Sequence, residues 1–182
     1  MAAKSSLKNM ALCLTAVCLI CSSVLAGVYA LTFEPIKAAS QKALEQSISA
    51  VLPEGLELSS AAVANQGGQT YTASQSGETA AYAVKSTVIG FGGPLTLMVG
   101  VLADGSVYNT SVLSHSETPG LGAKCTSDVK FMEQWNSFPN NSNFAVKKDG
   151  GDVDAITAST ITSRAYTLAV KNAVDVVKSL SK

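Results

Sequence analysis

The strongest constraint on this chain is an uncharged, apolar run near its N-terminus, MALCLTAVCLICSSVLAGVYAL, residues 10–31. Only Thr15, Ser22 and Ser23 within it are clearly polar. As an α-helix rising ~1.5 Å per residue, the run would extend about 33 Å, which is enough to cross the hydrocarbon core of a bilayer. The sequence therefore predicts a transmembrane helix at residues 10–31, followed by a separate folded domain.

A cleaved signal peptide is the alternative interpretation of the same run, with residues 28–30 (Val-Tyr-Ala) as a weak cleavage site. The apolar region of a signal peptide usually spans about 7–15 residues, so the length favours an uncleaved anchor. Lys4 and Lys8 are the only charges before the run ends. Because cytoplasmic flanks of membrane helices are rich in Lys and Arg, we predict a cytoplasmic segment 1–9 and an extracytoplasmic domain 32–182.

Charge and cysteine content exclude several classes of function. The chain of 182 residues has 13 basic and 13 acidic residues, without a basic stripe, which argues against nucleic-acid binding. Cys125 is the one cysteine outside the apolar run, so the outer domain cannot form an internal disulfide. His115 is the only histidine, and no Cys/His cluster accompanies it. The sequence therefore predicts no metal site.

The segments after the apolar run alternate between helical and strand patterns. Residues 34–55 have helical spacing and end at Pro53, and residues 65–78 are a Gly-, Ser- and Thr-rich mixture of strand and turn. Residues 79–90 predict a strand that ends at GFGG, residues 90–93. Two β-rich runs flank Asp104-Gly105, a pair that favours a hairpin because both residues tolerate positive φ.

The C-terminal third completes an α+β domain. Residues 125–138 predict a short helix, and residues 143–148 (NFAVKK) are compatible with one more strand. From Ile161 the pattern is helical almost to the end. The expected buried positions are Val129, Met132, Trp135 and Phe138 on the short helix, and Tyr166, Val170, Val174 and Val177 on the long one. We predict one domain with an antiparallel sheet flanked by helices.

Five hydroxyl residues fall within seven positions, 157–163, at the start of the predicted C-terminal helix. A helix N-cap explains one or two of them, because a Ser or Thr oxygen accepts a free N–H of the first turn. Alternatively, a helix N-terminus with free N–H groups can bind phosphate. No histidine is tied to a serine here, so hydrolase machinery is not indicated.

The stretch DAITAST, residues 154–160, resembles the flavinylation motif of FMN-binding domains: Asp, two variable residues, Ser or Thr, Gly, Ala, then an acceptor Thr. The resemblance implies that a flavin transferase takes FMN from FAD and links its phosphate to Thr160. Ala158 and Ser159 stand where Gly and Ala are usual. If the first of these positions needs positive φ, Ala158 costs on the order of 1 kcal/mol. The candidate cofactor-binding residues here are Asp154, Thr157, Ala158, Ser159, Thr160, Thr162 and Ser163.

A second stretch, SHSETPGLGAKC at residues 114–125, resembles the ETPGLG loop of the G subunit of Rnf-type ion-translocating oxidoreductases and of the related C subunit of sodium-pumping quinone reductases. A plain turn is the alternative, since proline and glycine both favour irregular backbone. Glycines would let the backbone approach a flat ring, while side chains and N–H groups bind its polar edge. The candidate residues of this loop are Glu117, Thr118, Gly120, Leu121 and Gly122.

Together the two motifs imply an electron-transfer subunit of a membrane-bound redox complex. By resemblance, covalently bound FMN relays electrons while the complex couples ferredoxin and NAD redox chemistry to ion transport. The implied partners are the other membrane subunits and the flavin transferase, and the implied location is the inner membrane. No turnover is expected from the isolated chain. Two alternatives remain: a flavin-free, membrane-tethered assembly or binding subunit, and an extracytoplasmic flavin reductase.

Overall fold

The computed structural model describes residues 7–53, 55–65, 68–75 and 78–180, and the chain forms two compact units, Met1–Ala43 and Leu44–Lys182. Helix α1, Leu7–Val51, begins in the first unit and ends in the second. It is the one helix in the described part of the chain that is long and apolar enough to cross a membrane. The predicted segment 1–9 lies largely outside the described residues.

The predicted helical segment 10–31 and residues 34–51 of the predicted segment 34–55 are parts of this one helix. Pro35 lies between them and is accommodated inside α1. The helix ends at Val51, two residues before Pro53, because a proline restricts the residue before it to extended backbone and cannot donate a helical hydrogen bond.

The second unit is built on one antiparallel sheet, which confirms the predicted α+β class. Its five strands lie in sequence order, each paired with the next. The strands are β1 (Glu57–Asn65), β2 (Gly68–Gln75), β3 (Glu78–Ile89), β4 (Pro94–Leu102) and β5 (Val107–His115). Sequential pairing needs only short turns, and the glycine loop 90–93 is the turn between β3 and β4.

The predicted hairpin turn joins β4 to β5, but only one of its two central residues uses positive φ. Gly105 has φ 84°, whereas Asp104 is not among the described residues with positive φ. The Asp104 carboxylate instead accepts hydrogen bonds from the backbone N–H (2.8 Å) and hydroxyl (2.6 Å) of Ser106. These bonds hold the pKa of Asp104 below its usual value. Side-chain capping thus fixes this turn together with the glycine.

Helices cover both faces of the sheet. Helix α3, Thr160–Leu180, contacts β3 and β4, and its buried side chains join one hydrophobic core. The end of α1 packs on the other face in a second core, where it meets Met98 of β4. Burial on both faces explains why β4 is buried at seven consecutive positions rather than at alternating ones. From β4, the first core contains Leu95, Leu97, Val99 and Val101.

The helical prediction at the C-terminus is confirmed: all four residues expected on the buried side of α3 are buried. The short helix α2, Val129–Glu133, differs from expectation. Val129 and Met132 are exposed at 62% and 38%, whereas Phe131 is buried with Trp135 and Phe138. The prediction was wrong for Val129 and Met132 and correct for Trp135 and Phe138, because α2 ends after five residues and helical spacing does not extend from Val129 to Phe138. Trp135 is fully buried in the core, as expected.

The stretch NFAVKK, residues 143–148, is not a strand. Val146 forms only an isolated bridge to Val153, and residues 147–149 form a single 3₁₀ turn. The loop closes on itself, because the N–H of Asn143 donates to the carboxylate of Asp152 (2.7 Å) and its side-chain amide donates to Gly150 (3.1 Å). Local side-chain hydrogen bonds therefore replace the ladder that a strand would need.

Gly100 sets how closely the end of α1 approaches the sheet. A Cβ at this position would overlap the carbonyl oxygen of Val51. The side-chain amide of Asn109, the residue paired with Gly100 on β5, donates to the carbonyl of Ala50 (3.1 Å). The last turn of α1 thus rests directly on the backbone of β4, and its C-terminal carbonyls gain a partner from β5.

We predict that Gly100→Ala destabilises the folded chain by about 2 kcal/mol, since overpacking a tight interface forces backbone movement. The measurement is urea unfolding of the detergent-solubilised chain, followed by fluorescence of its single tryptophan, the buried Trp135. Gly27→Ala is the matched control, because nothing lies within 4 Å of a Cβ at that position. Equal unfolding midpoints for the two variants would contradict the proposed close approach.

Candidate functional site

The site is built around the first turn of α3. The N–H of Ser159 donates to Ile156 (3.0 Å), and the carbonyl of Ser159 accepts from the N–H of Ser163 (3.0 Å). In a helix of 21 residues, the first backbone N–H groups have no intrahelical partner, and here these belong to residues 160–162. This end of α3 therefore combines free donors with the positive end of the helix dipole.

Ala158, two residues before the helix begins, adopts a left-handed conformation with φ 63°. Ser137 is the only other non-glycine residue with positive φ in the described ranges. A left-handed conformation costs an L-residue roughly 1–2 kcal/mol, because its Cβ crowds the following carbonyl oxygen. The position where glycine is usual in the flavinylation motif thus requires the backbone that glycine favours.

The five clustered hydroxyls have different surroundings. Ser163 is structural, since its Oγ accepts from the N–H of Ile156 (2.9 Å) and donates to the carbonyl of Ser159 (3.0 Å). Thr162 donates to a buried carboxylate oxygen of Glu117 (2.8 Å). Ser159 is 7% exposed, and its Oγ has no hydrogen-bond partner among the described residues. Thr160 is half-buried at the first position of α3.

A cavity of about 340 Å³ opens beside this helix start. That volume falls within the usual range of small-molecule sites, roughly 300–1,000 Å³. Its walls come from the glycine loop 90–93, the ETPGLG loop and the first turn of α3. The lining residues are Phe91, Glu117, Thr118, Leu121, Gly122, Ala158, Ser159, Thr160, Ile161 and Thr162.

Glu117 is a buried acid in the wall of this cavity, with 6% of its surface exposed. One carboxylate oxygen accepts from the backbone N–H groups of Phe91 (2.8 Å) and Gly92 (3.4 Å). The other accepts from the hydroxyl of Thr162 (2.8 Å). Glu117 therefore connects the three wall segments to one another rather than presenting free oxygens to the cavity.

The cavity unites eight of the twelve residues that the sequence singled out. Asp154 and Thr157 line a separate, smaller cavity of about 190 Å³ instead. Asp154 is exposed, its carboxylate pairs with Lys147 (2.8 Å), and its N–H and carbonyl bond to the amide of Gln134. Gly120 lies in an exposed turn with φ 76° and does not line the cavity. Ser163 is the fourth candidate residue that does not line the cavity, and it is buried in the first turn of α3.

Two lining residues were missed by the sequence analysis, Phe91 and Ile161. Both are exposed large apolar side chains, at 67% and 52%. The sequence signals for them are an aromatic residue between the glycines of the loop 90–93, and an apolar residue directly after Thr160. With Leu121, which is 44% exposed, they give the cavity apolar walls.

The shifted pKa values in this part of the chain include those of Asp149, Arg164 and Cys125. The Arg164 guanidinium forms two hydrogen bonds of 2.6 Å to the carboxylate of Asp149, which lowers the pKa of Asp149 and raises that of Arg164. Burial, with the nearby charge of Glu117, raises the pKa of the Cys125 thiol to about 11. No group of three or more metal-ligating side chains occurs among the described residues.

These surroundings suit a ligand that is flat and apolar at one end and anionic at the other. The apolar walls can pack against a ring system, and the backbone donors at the start of α3 can bind a phosphate. Thr160 belongs to both regions, since it is the first residue of α3 and a lining residue of the cavity.

Comparisons with known proteins point to one family. Residues 90–175 match the model of the FMN-binding domain, and residues 1–51 match that of the RnfG N-terminal region. The G subunit of the ion-translocating oxidoreductase complex of Vibrio cholerae serotype O1 is 34% identical over 173 residues, covering 86% of this chain and 83% of that protein. The G subunit of the proton-translocating ferredoxin:NAD(+) oxidoreductase complex of Clostridium ljungdahlii is 34% identical over 166 residues, covering 90% and 88%.

Among solved structures, the C subunit of the Na(+)-translocating NADH-quinone reductase of Parabacteroides distasonis matches with 26% identity and a TM-score of 0.45, covering 63% of this chain and 59% of that one.

We predict that Ala158→Gly stabilises the chain by about 1 kcal/mol, because glycine adopts positive φ without a Cβ penalty. Urea unfolding followed by Trp135 fluorescence measures the change. Ala155→Gly is the control within the same exposed segment, at a position without positive φ. There, glycine only adds entropy to the unfolded chain and should lower stability. Stabilisation by both variants, or by neither, would contradict the strain argument.

We also predict that Ser159→Ala stabilises the chain by about 1 kcal/mol, since a buried hydroxyl without a partner keeps its desolvation cost. Ser163→Ala is the matched comparison four residues along, and it removes two hydrogen bonds. That variant should lose about 1–3 kcal/mol, because the N–H of Ile156 becomes unsatisfied. The unfolding free energies of the two variants should therefore differ in sign, and a common sign would contradict the assignment of the two hydroxyls.

Proposed function

The chain belongs to the family of G subunits of ion-translocating oxidoreductase complexes, and from this premise we propose that it relays electrons through FMN attached covalently to Thr160. At the level that the family supports, it is a membrane-anchored, FMN-binding redox subunit of a larger complex. The proposal goes further in three respects. The flavin is bound covalently, a flavin transferase attaches it, and the complex couples electron transfer to ion transport.

The observation that carries the proposal is the position of Thr160. It is the first residue of α3 and a lining residue of the 340 Å³ cavity, adjacent to the free N–H groups of the helix start. A phosphate esterified to its hydroxyl would lie at the positive end of the helix dipole, which favours negative charge. The same residue occupies the acceptor position of the DAITAST motif.

The surrounding residues fit FMN by chemistry. Phe91, Leu121 and Ile161 offer apolar surface for a flat ring, and the N–H groups of residues 160–162 offer donors for its phosphate. FMN supplies reversible uptake of electrons at its ring. The protein binds and orients this group, and the covalent bond keeps it on an exposed face of a domain from which free FMN could dissociate.

Attachment balances as a transfer of FMN from FAD. The hydroxyl oxygen of Thr160 forms the new bond to the flavin phosphate, the pyrophosphate bond of FAD breaks, and AMP leaves. A separate flavin transferase supplies this step, since no base is paired with Thr160 among the described residues. Asp154 and Thr157 face the separate cavity of about 190 Å³ beside the acceptor segment, which suits contact with the transferase rather than with the bound flavin.

The topology follows from the anchor. We place residues 10–31 across the inner membrane, residues 1–9 in the cytoplasm, and residues 32–182 on the extracytoplasmic side, on the strength of the basic N-terminus and the long apolar helix. In this arrangement the domain exchanges electrons with other membrane subunits, and the complex couples ferredoxin and NAD chemistry to ion movement. The isolated chain performs no turnover of its own.

A flavin-free role in assembly is a second candidate, and a specific observation favours it. The two motif departures coincide with two local costs: Ala158 is strained at φ 63°, and the Oγ of Ser159 is buried without a partner among the described residues. A segment under such strain can be a poor substrate for a transferase that recognises glycine and alanine there. The double variant Ala158→Gly/Ser159→Ala restores the usual motif and provides the test.

We predict that the wild-type chain, co-expressed with its flavin transferase, gains the mass of FMN minus one water, and that Thr160→Ala abolishes the gain. The measurement is intact mass, with peptide mapping and in-gel fluorescence of the denatured protein. Thr126→Ala is the matched control, since Thr126 is exposed, lies outside both motifs and lines neither cavity. Its flavin should remain on the peptide that contains Thr160.

Three outcomes separate the candidates. If Thr160→Ala still carries covalent FMN, a neighbouring hydroxyl and not Thr160 is the acceptor. An unmodified wild type together with a modified double variant would mean that the motif departures block attachment, which supports the assembly role. An unmodified double variant would contradict covalent flavinylation of this segment altogether.

A further inference from the structure

The carboxylate of Glu117 is the point where the three walls of the cavity meet. It accepts hydrogen bonds from the glycine loop 90–93 at Phe91 and Gly92, and from the first turn of α3 at Thr162. Glu117 itself belongs to the ETPGLG loop. All three donors lie far from Glu117 in sequence, by 25, 26 and 45 positions. One buried side chain therefore joins three segments that are distant along the chain.

The glycines around this carboxylate make room for it. A Cβ at Gly90 would overlap one oxygen of Glu117, and a Cβ at Gly122 would overlap the other. A Cβ at Gly92 would overlap the carbonyl oxygen of Ser116, the residue before Glu117. Two glycines of the loop 90–93 and one of the ETPGLG loop thus enclose a single acid, which explains why both loops have glycine at these points.

The charge of this side chain is also isolated. Glu117 is the only ionisable residue among those that line the cavity in the described part of the chain. Its charge contributes to the raised pKa of Cys125, which is buried and does not line the cavity. Any group bound in the cavity would therefore be close to one negative charge, with no neutralising cation among the described lining residues.

We propose that Glu117 is a positioning residue: its carboxylate clamps the glycine loop and the start of α3 into the walls of the cavity, and its charge lowers the reduction potential of the flavin held there. The second half rests on the proposed function. Reduction adds electrons to the flavin ring, and a fixed negative charge in a partly desolvated wall opposes added negative charge. The first half, the clamp, does not depend on a bound flavin.

Amide hydrogen exchange of the full-length, unmodified chain in detergent tests the clamp. Thr162→Val removes one donor to Glu117 and keeps the shape of the side chain. Exchange at the amides of Phe91 and Gly92 should then accelerate on the order of tenfold, the scale of losing one hydrogen bond to a charged group. Thr167→Val is the matched control, since Thr167 is equally buried and its hydroxyl bonds only to the carbonyl of Ser163 (2.8 Å) among the described contacts.

Equal exchange at Phe91 and Gly92 in the two threonine variants would overturn the clamp. This measurement needs no flavin, so it decides the first half even if intact mass shows that Thr160 carries no FMN. The failure of the proposed function and the failure of the clamp are therefore separate observations.

A redox titration of the flavin-loaded chain tests the charge. Glu117→Gln keeps the shape and one acceptor oxygen but removes the charge, and the midpoint potential should shift to a more positive value. Glu133→Gln is the control, because Glu133 is exposed on α2 and does not line the cavity. A purely structural role would change stability and exchange but leave the potential at the control value, and that result would overturn the second half.

Discussion

The packing of α3 across β3 and β4 is the interaction on which the rest of the structure depends. The buried residues of this helix fix its axis on the sheet, and the axis fixes where its first turn lies. Tyr166 reinforces the arrangement, since its hydroxyl bonds to that of Thr110 on β5 (2.7 Å) in a fully buried contact. Thr160 therefore reaches the cavity because other residues of the helix, among them Tyr166 and Val170, are buried against the sheet.

Local strain coincides with the proposed attachment site at the start of α3. Ala158 holds a left-handed conformation and Ser159 buries an oxygen that has no partner among the described residues, and these two residues come directly before Thr160. Such features persist only where the surrounding structure determines the backbone strongly. Here the constraint comes from the hydrogen bonds of Ser163 on one side and from the pairing of Asp154 with Gln134 on the other. The segment between them has little freedom to relax.

Much of the fold could be predicted, because its signals are local. Helical spacing predicted α3 with its four buried residues, and a turn pair between two β-rich runs predicted the hairpin of β4 and β5. The short helix α2 was predicted, but two of its four expected buried residues, Val129 and Met132, are exposed because the helix ends after five residues. The strand predicted at residues 143–148 was wrong, since Val146 forms only an isolated bridge to Val153. Short elements carry too little periodicity to outweigh such contacts.

The sequence by itself determined the apolar anchor, the α+β class and the two motifs of the site, since each depends on composition or spacing within a short window. Only the tertiary structure decided which candidates share a cavity. It placed Thr160 with the ETPGLG loop and separated them from Asp154 and Thr157. It also showed that both carboxylate oxygens of the buried Glu117 accept hydrogen bonds from other segments of the chain. The direction of a side chain depends on how loops pack against each other, and that packing is not encoded in any one stretch.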